Sequence, residues 1–237
     1  MTDKGTLYLI PTTLGDTAET ADVIPVKVNQ IINSIDEYIV ENEKSARHYL
    51  KKIGIIKPLQ EIILHPLNQH TASKEISAYL NSIHLGKNIG IISEAGCPGI
   101  ADPGAEVVKL AHERNINVVP LVGPSSIFLA LMASGFNGQS FTFNGYLPKE
   151  RSERIKKIKD LERLAKEKNQ TQLFIETPYR NAHVLDDILS SCDNKTPLCI
   201  ACDITLPTEF IKTKSIFNWK KQIPDINKRP AIFLIYK

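Results

Sequence analysis

Residues 88–114 read NIGIISEAGCPGIADPGAEVVKLAHER. The apolar run NIGIIS has the look of a short buried strand. It gives way to SEAGCPGIADPG (93–104), where three glycines, two prolines and two acids crowd into twelve residues. GAEVVKLAHER (104–114) then carries apolar residues at helical spacing, entered through Asp102-Pro103-Gly104, a natural helix start. Strand, tight loop and helix in succession make half of a βαβ unit, so the fold turns on whether this order recurs.

It recurs upstream. TLYLI (6–10), DEYIV (36–40), EIIL (61–64) and NVVPLV read as further strands, and KEISAYLNSIH (74–84) as a helix. Strands alternating with helices of this length predict an α/β fold with a mostly parallel N-terminal sheet covered on both faces. Beyond Gly123 the order changes. PSSIFLALMASG (124–135) reads as an apolar helix, followed by SFTFN (140–144), a long charged helix at about 150–168 and TQLFIET (171–177). A helix near 180–190, LCIACDI (198–204), EFIKTKSI (209–216) and AIFLIYK (231–237) complete the chain. Strands in closer succession predict a mixed C-terminal α+β sheet. The boundary falls near residues 120–124, giving an N-terminal α/β domain (1–122) and a C-terminal α/β domain (123–237).

The bulk properties narrow the class. A chain of 237 residues with 42% hydrophobic and 23% charged content can bury a substantial core. No apolar stretch approaches the roughly 20 residues that span a bilayer. MTDKGTLYLIPTT lacks the pattern of a secretory leader, so a cytoplasmic protein with no membrane partner is expected. A net charge of +3 permits nucleic-acid binding without demanding it. Cys199 and Cys202 form a CxxC, but a strand points positions i and i+3 to opposite faces, and no second pair supplies the further ligands that zinc needs. They read as buried small hydrophobes, and no metal is expected.

Three loops carry the chemistry. TLYLIPTTLGD (6–16) is a strand running into a Pro-Thr-Thr-Leu-Gly turn, and SEAGCPGIADPG leaves the strand NIGIIS in the same way. VVPLVGPSSIF opens a helix at Gly123-Pro124-Ser125-Ser126. Neither a GxGxxG nor a GxxxxGK[ST] is present, so the usual phosphate-cradling fingerprints are missing. Taken singly, each loop could be rigid punctuation, with Asp102 a helix cap and Ser125 or Ser126 satisfying backbone donors. In open α/β sheets, however, ligands bind outside the carboxyl ends of the strands. Three such turns at strand ends would ring one pocket, built largely of main chain that glycine lets a ligand approach.

The order GTLYLIPTTLGD, NIGIISEAGCPGIADPG, VVPLVGPSSIFLALMASGF, FNGYLPK and FIETPYR resembles the tetrapyrrole-methylase superfamily. Within it the chain is most similar to the ribosomal-RNA-methylating branch, whose pattern runs SDAGTPxxxDPG, PGPSA, ALxxSGL, GFLP and FYESPHR. The resemblance covers about residues 5 to 205 in the right order. It implies two α/β domains with S-adenosylmethionine bound in the cleft between them, a homodimer, and 2′-O-methylation of a cytidine ribose in 16S ribosomal RNA. Carried over by position, it gives the cofactor pocket Pro11, Ser93, Glu94, Ala95, Pro98 and Ile100. Ser125, Ser126, Glu176 and Ile204 would complete that pocket. Where the branch reads AEDTRHT, this chain has VENEKSA (40–46), with Asn42 for Asp and Lys44 for Arg. The chain also stops shortly after its last strand, within AIFLIYK (231–237), without the small C-terminal extension of longer members. Both departures bear on the acceptor more than on the cofactor. A tetrapyrrole or other small-molecule acceptor, and a non-catalytic S-adenosylmethionine-binding protein, stay open as alternatives.

A ribose hydroxyl acceptor calls for a base or polarising group. Glu41 and Glu94 are the catalytic candidates, with His48 a weaker third; each carboxylate could equally be structural. Lys44, Arg47 and Arg180 are the candidate substrate contacts, with Tyr146 and Tyr179 available as stacking platforms for exposed bases. KERSERIKKIKDLERLAKEK (149–168) holds nine basic and five acidic residues. Its stripe of Ile155, Ile158, Leu161 and Leu164 favours a solvated helix face over an RNA surface. The expected partner is ribosomal RNA or the small ribosomal subunit.

Overall fold

The computed structural model describes residues 4–68 and 70–237, and the chain divides into two units, Met1–Ser125 and Ser126–Lys237. The extreme N-terminal residues of MTDKGTLYLIPTT lie outside the described residues.

In the first unit, β1 (Thr6–Ile10), β2 (Glu37–Val40), β3 (Ile63–Pro66), β4 (Ile89–Ile92) and β5 (Asn117–Pro120) form one sheet in the order β3-β2-β4-β1-β5. Every pairing in it is parallel. Such a sheet must be covered on both faces, and two apolar clusters do this. On one face Ile10, Tyr38, Val40 and Ile92 pack with Val28 and Ile32 of α2 (Val26–Ile32) and with Ala46, Tyr49 and Leu50 of α3 (Glu43–Lys52). On the other, Leu7, Ile39, Ile89 and Ile91 meet Ile76 of α4 (Ser73–Tyr79) and Val107 and Ala111 of α5 (Gly104–Glu113). A short α1 (Thr20–Val23) precedes α2. Gly90 is the gap in the first face: a Cβ there would lie 2.5 Å from Ile10 Cδ1 and 2.8 Å from the Tyr38 ring. Tyr38 uses that space to carry its hydroxyl to the Ile32 carbonyl, 2.8 Å away.

The second unit begins with α6 (Ser126–Ser134). It then runs β6 (Phe141–Tyr146), α7 (Arg151–Lys168), β7 (Thr171–Glu176), α8 (Asn181–Ser191), β8 (Pro197–Cys202), β9 (Phe210–Ser215), α9 (Ile216–Lys221) and β10 (Ala231–Ile235). Its sheet has the order β6-β7-β10-β8-β9. β6 and β7 are parallel and the rest antiparallel, the mixed sheet that the succession of strands predicts. One face packs on α7, α8 and Trp219 of α9 through Phe174, Phe233, Leu198 and Ile200. Cys202 shares that face, whereas Cys199, the odd neighbour along the strand, does not. Burial holds both thiols up at about 11, so neither is a thiolate at neutral pH.

Several boundaries differ from the sequence reading. EIIL (61–64) begins too early, because Leu59–Glu61 closes a 3₁₀ turn and pairing starts at Ile63. KEISAYLNSIH breaks after Tyr79 into a 3₁₀ stretch, Asn81–Leu85, ended by left-handed Gly86. In α7 the buried positions are Arg154, Ile158, Leu161 and Ala165, so the stripe is rotated from the one expected. Arg154 earns its burial through Asp187, whose Oδ2 lies 2.8 Å from Nε and 2.7 Å from Nη2. The sequence reading does not include helices α2, α3 and α9, although α3 buries Ala46, Tyr49 and Leu50 at helical spacing.

Candidate functional site

Crossovers leave β2 toward β3 and β4 toward β5, so the connections part between two neighbouring strands. That divergence is where an open parallel sheet has room for a ligand at its carboxyl edge. A cavity of about 420 Å³ lies there, walled by the exit of β1 (Thr12, Thr13, Gly15, Asp16), the exit of β2 with α3 (Asn42, Lys44, Ser45, His48, Tyr49, Lys52) and the exit of β4 (Ile92, Ser93, Glu94).

The three Gly/Pro/Ser turns are locked together. Thr12 N donates to the Gly96 carbonyl at 2.9 Å. Gly123 accepts the Pro11 ring so closely that an added Cβ would sit 2.2 Å from Pro11 Cβ. A Cβ on Gly96 would meet the Pro124 carbonyl at 3.3 Å, and Cys97 Sγ lies 3.5 Å from the same oxygen. From the other side the Tyr49 hydroxyl donates to the Pro11 carbonyl at 2.7 Å, tying α3 to β1. Within SEAGCPGIADPG the backbone turns left-handed at Gly96, Gly99 and Ala101. Asp102 holds that shape by accepting from Gly99 N at 2.9 Å and Gly104 N at 2.7 Å. Burial pushes its carboxyl up, and those two amides pull against the shift.

Each predicted residue of the first unit has a definite place. Ser93 and Glu94 line the cavity, and Ser45 Oγ donates to Glu94 Oε2 at 3.1 Å. Glu41 does not line it; its Oε1 accepts from Glu94 N at 3.1 Å. Burial raises the Glu41 carboxyl, the Glu94 amide opposes this, and Asp102 and Glu94 add repulsion. Pro11 and Pro98 are buried, while Ala95 and Ile100 are exposed along the loop. Lys44 faces the cavity; Arg47 turns away, donating to the Leu59 carbonyl at 2.7 Å. Ser125 closes the first unit.

In the second unit Ser126 opens α6, and Glu176 and Cys202, just before Ile204, both pair with Ala231 of β10. The register therefore brings Glu176 and the turn carrying Ile204 to one sheet edge. Arg180 sits 2.8 Å from Glu176 Oε2, an ion pair without the direction of a hydrogen bond, and donates to the Pro148 carbonyl at 3.1 Å. The turn after β8 is strained, with φ of +50° at Asp203 and +70° at Thr205. The Thr205 hydroxyl is buried without a hydrogen-bond partner. Tyr146 and Tyr179 are both exposed.

The model of the tetrapyrrole (corrin/porphyrin) methylases matches residues 6–218. The chain belongs to this family. Among its relatives, ribosomal RNA small subunit methyltransferase I of Buchnera aphidicola subsp. Schizaphis graminum is 30% identical over 234 residues, 98% of this chain and 78% of the relative. The enzyme of that name from Xylella fastidiosa is 30% identical over 236 residues, 99% of this chain and 82% of the relative. Among solved structures the methyltransferase CobJ shares the fold, with a TM-score of 0.64 at 15% identity, over 98% of this chain and 94% of that one. The methylase is a methyltransferase dependent on S-adenosyl-L-methionine. In the first unit the β4 exit fits that group, with left-handed turns at Gly96, Gly99 and Ala101 and open space at Gly99, where an added Cβ would meet nothing within 4 Å.

Sequence reasoning marked the turn that carries Thr12 and Thr13 without singling out either residue, and it passed over Tyr49 and Lys52. The structure buries Thr12 and Tyr49, and only the pairing of distant segments gives them a role. Among the described residues no helix is long and apolar enough to cross a membrane, and no group of three or more His, Cys, Asp or Glu side chains is placed to hold a metal.

Proposed function

We propose that this methylase acts on the ribosomal RNA of the small subunit, at a ribose 2′-hydroxyl, that of a cytidine in 16S ribosomal RNA. The observation that carries the reading is the similarity to ribosomal RNA small subunit methyltransferase I, which takes in 98% of the chain. The cofactor contacts would be Pro11, Ser93, Glu94, Ala95, Pro98 and Ile100, joined by Ser125, Ser126, Glu176 and Ile204. When bound, S-adenosylmethionine supplies an electrophilic methyl group on a sulfonium. The chain's own work is to position the acceptor oxygen in line and to draw off its proton.

Glu94 suits the second task, since it is exposed and lines the cavity. Glu41 acts through it, holding the Glu94 amide and so the orientation of the loop. Lys44 is the substrate contact of choice. Arg47 and Arg180 are bound to internal partners and serve to fix their loops. The working form would be a cytoplasmic homodimer.

The test is transfer of labelled methyl from S-adenosylmethionine to isolated small ribosomal subunits and to naked 16S ribosomal RNA. Label in a cytidine ribose is the expected result. No label in either acceptor, from protein that binds S-adenosylhomocysteine by calorimetry, would overturn the reading. So would label entering a tetrapyrrole instead.

A further inference from the structure

The cavity of the first unit is more than a gap beside the cofactor loop. At its wall the Thr12 hydroxyl, on a residue only 3% exposed, has no hydrogen-bond partner. A buried polar group left in this way is costly unless a ligand completes it. Around it the chemistry is divided. Lys44 and Lys52 bring positive charge, Thr13, Ser45 and Ser93 bring hydroxyls, and Asp16 and Glu94 bring carboxylates. Lys52 is engaged with the Asp16 carbonyl, which leaves Lys44 as the lysine facing the space, with the His48 imidazole also on its wall. Two amides of the first turn of α3 are also taken, because the Asn42 side chain accepts from Lys44 N at 2.9 Å and Ser45 N at 3.2 Å. An anion in the cavity would therefore be held by the lysine side chain and not by the helix terminus.

Resting on the function proposed above, we infer that this cavity receives the acceptor nucleotide itself, turned out of its strand, with Lys44 on its phosphate and Thr12 hydrogen-bonded to its sugar. A neutral or uniformly anionic ligand matches only part of the lining. A nucleotide has both an anionic phosphate and neutral hydroxyls that donate as well as accept. Glu94 then faces the sugar rather than the phosphate. The size agrees: about 420 Å³ lies at the low end of small-ligand pockets, which run to roughly 1,000 Å³. That is room for one residue of RNA and too little for a duplex. Because Thr12 and Ser93 are buried, an acceptor oxygen reaches them only by entering the cavity. A nucleotide stacked within a helix does not do that, whereas one splayed from a loop or flipped from its stack does.

The experiment measures methylation of isolated small subunits across a salt series, with S-adenosylhomocysteine affinity and the unfolding midpoint taken on the same preparations. Lys44→Ala should raise KM for subunits about tenfold and make the plot of log kcat/KM against log salt shallower by about 0.7, the effect of one phosphate contact on single-stranded nucleic acid. Its affinity for S-adenosylhomocysteine should be unchanged. Thr12→Val should raise KM several-fold, and Thr12→Ser should restore it. If Thr12→Val does not fold, exposed Lys44 carries the test alone. Wild-type KM and salt slope in Lys44→Ala, from an enzyme that methylates subunits, would refute the pocket and leave the proposed function standing. Loss of S-adenosylhomocysteine binding in Lys44→Ala would refute it too, by making the cavity part of the cofactor site. Failure of the wild-type protein to methylate RNA would remove the function and the pocket together.

Discussion

Replacing Gly123 with alanine tests whether the strand-exit loops are as tightly interlocked as they look. The added methyl would lie 2.2 Å from Pro11 Cβ and 2.4 Å from Pro11 Cγ, more than an ångström inside ordinary carbon–carbon contact at roughly 3.5–4.0 Å. Neither atom can swing aside, because both belong to a proline ring whose φ is fixed. The backbone of one loop must move. Overpacking of this kind costs about 1–3 kcal/mol, and a chain of this size loses about 2–4 °C of Tm per kcal/mol. The expected drop in Tm is therefore about 2–12 °C. Displacing the Pro11 turn also disturbs Thr12, which holds the Gly96 carbonyl, so a loss in methyl transfer of up to about 100-fold accompanies it. Gly138→Ala, with nothing within 4 Å of its added Cβ, is the control and should stay within about 0.5 kcal/mol. Thermal unfolding and S-adenosylhomocysteine calorimetry read the outcome. A Gly123→Ala protein with wild-type Tm and affinity within twofold would show that the loops tolerate independent movement, and the interlock would be wrong.

Two further predictions concern charge. Burial raises the Glu41 carboxyl above its ordinary 4.5, so its favourable contribution is full below that value and is lost as pH rises through the folded one. Glu41→Gln should gain stability relative to wild type as pH goes from about 4 to 7, and a variant-minus-wild-type Tm that falls over the series would contradict this. Asp187→Ala strands Arg154, which is 6% exposed, at a cost of about 3–5 kcal/mol. The expected fall in Tm is roughly 6–20 °C, and a fall of less than about 2 °C would mean that Arg154 finds other partners.

The fold was legible where local pattern and tertiary role coincide. NIGIIS, SEAGCPGIADPG and GAEVVKLAHER each behave as their residues suggest, because a buried parallel strand, a loop with left-handed turns and an amphipathic helix leave distinct local marks. The cavity was less legible. Tyr49 sits on the buried side of α3 among Ala46 and Leu50, and nothing nearby says that its hydroxyl seeks the Pro11 carbonyl. Thr12 looks like any threonine of a turn until three strands place it against a wall. Arg154 misled for the same reason: within α7 it is one charge among many, and its partner Asp187 belongs to α8. Pairings between distant segments leave no periodic trace.

The mutual hold of Pro11, Gly96, Gly123 and Pro124 also sets an order of events during synthesis. The β1 exit emerges first, yet its shape depends on partners made only after β4 and β5. Contacts this distant in sequence are closed late in folding. A nascent or truncated chain that stops short of Pro124 would therefore carry the early loop and the α3 lysines without the loop interlock, which closes only when the whole first unit has been made.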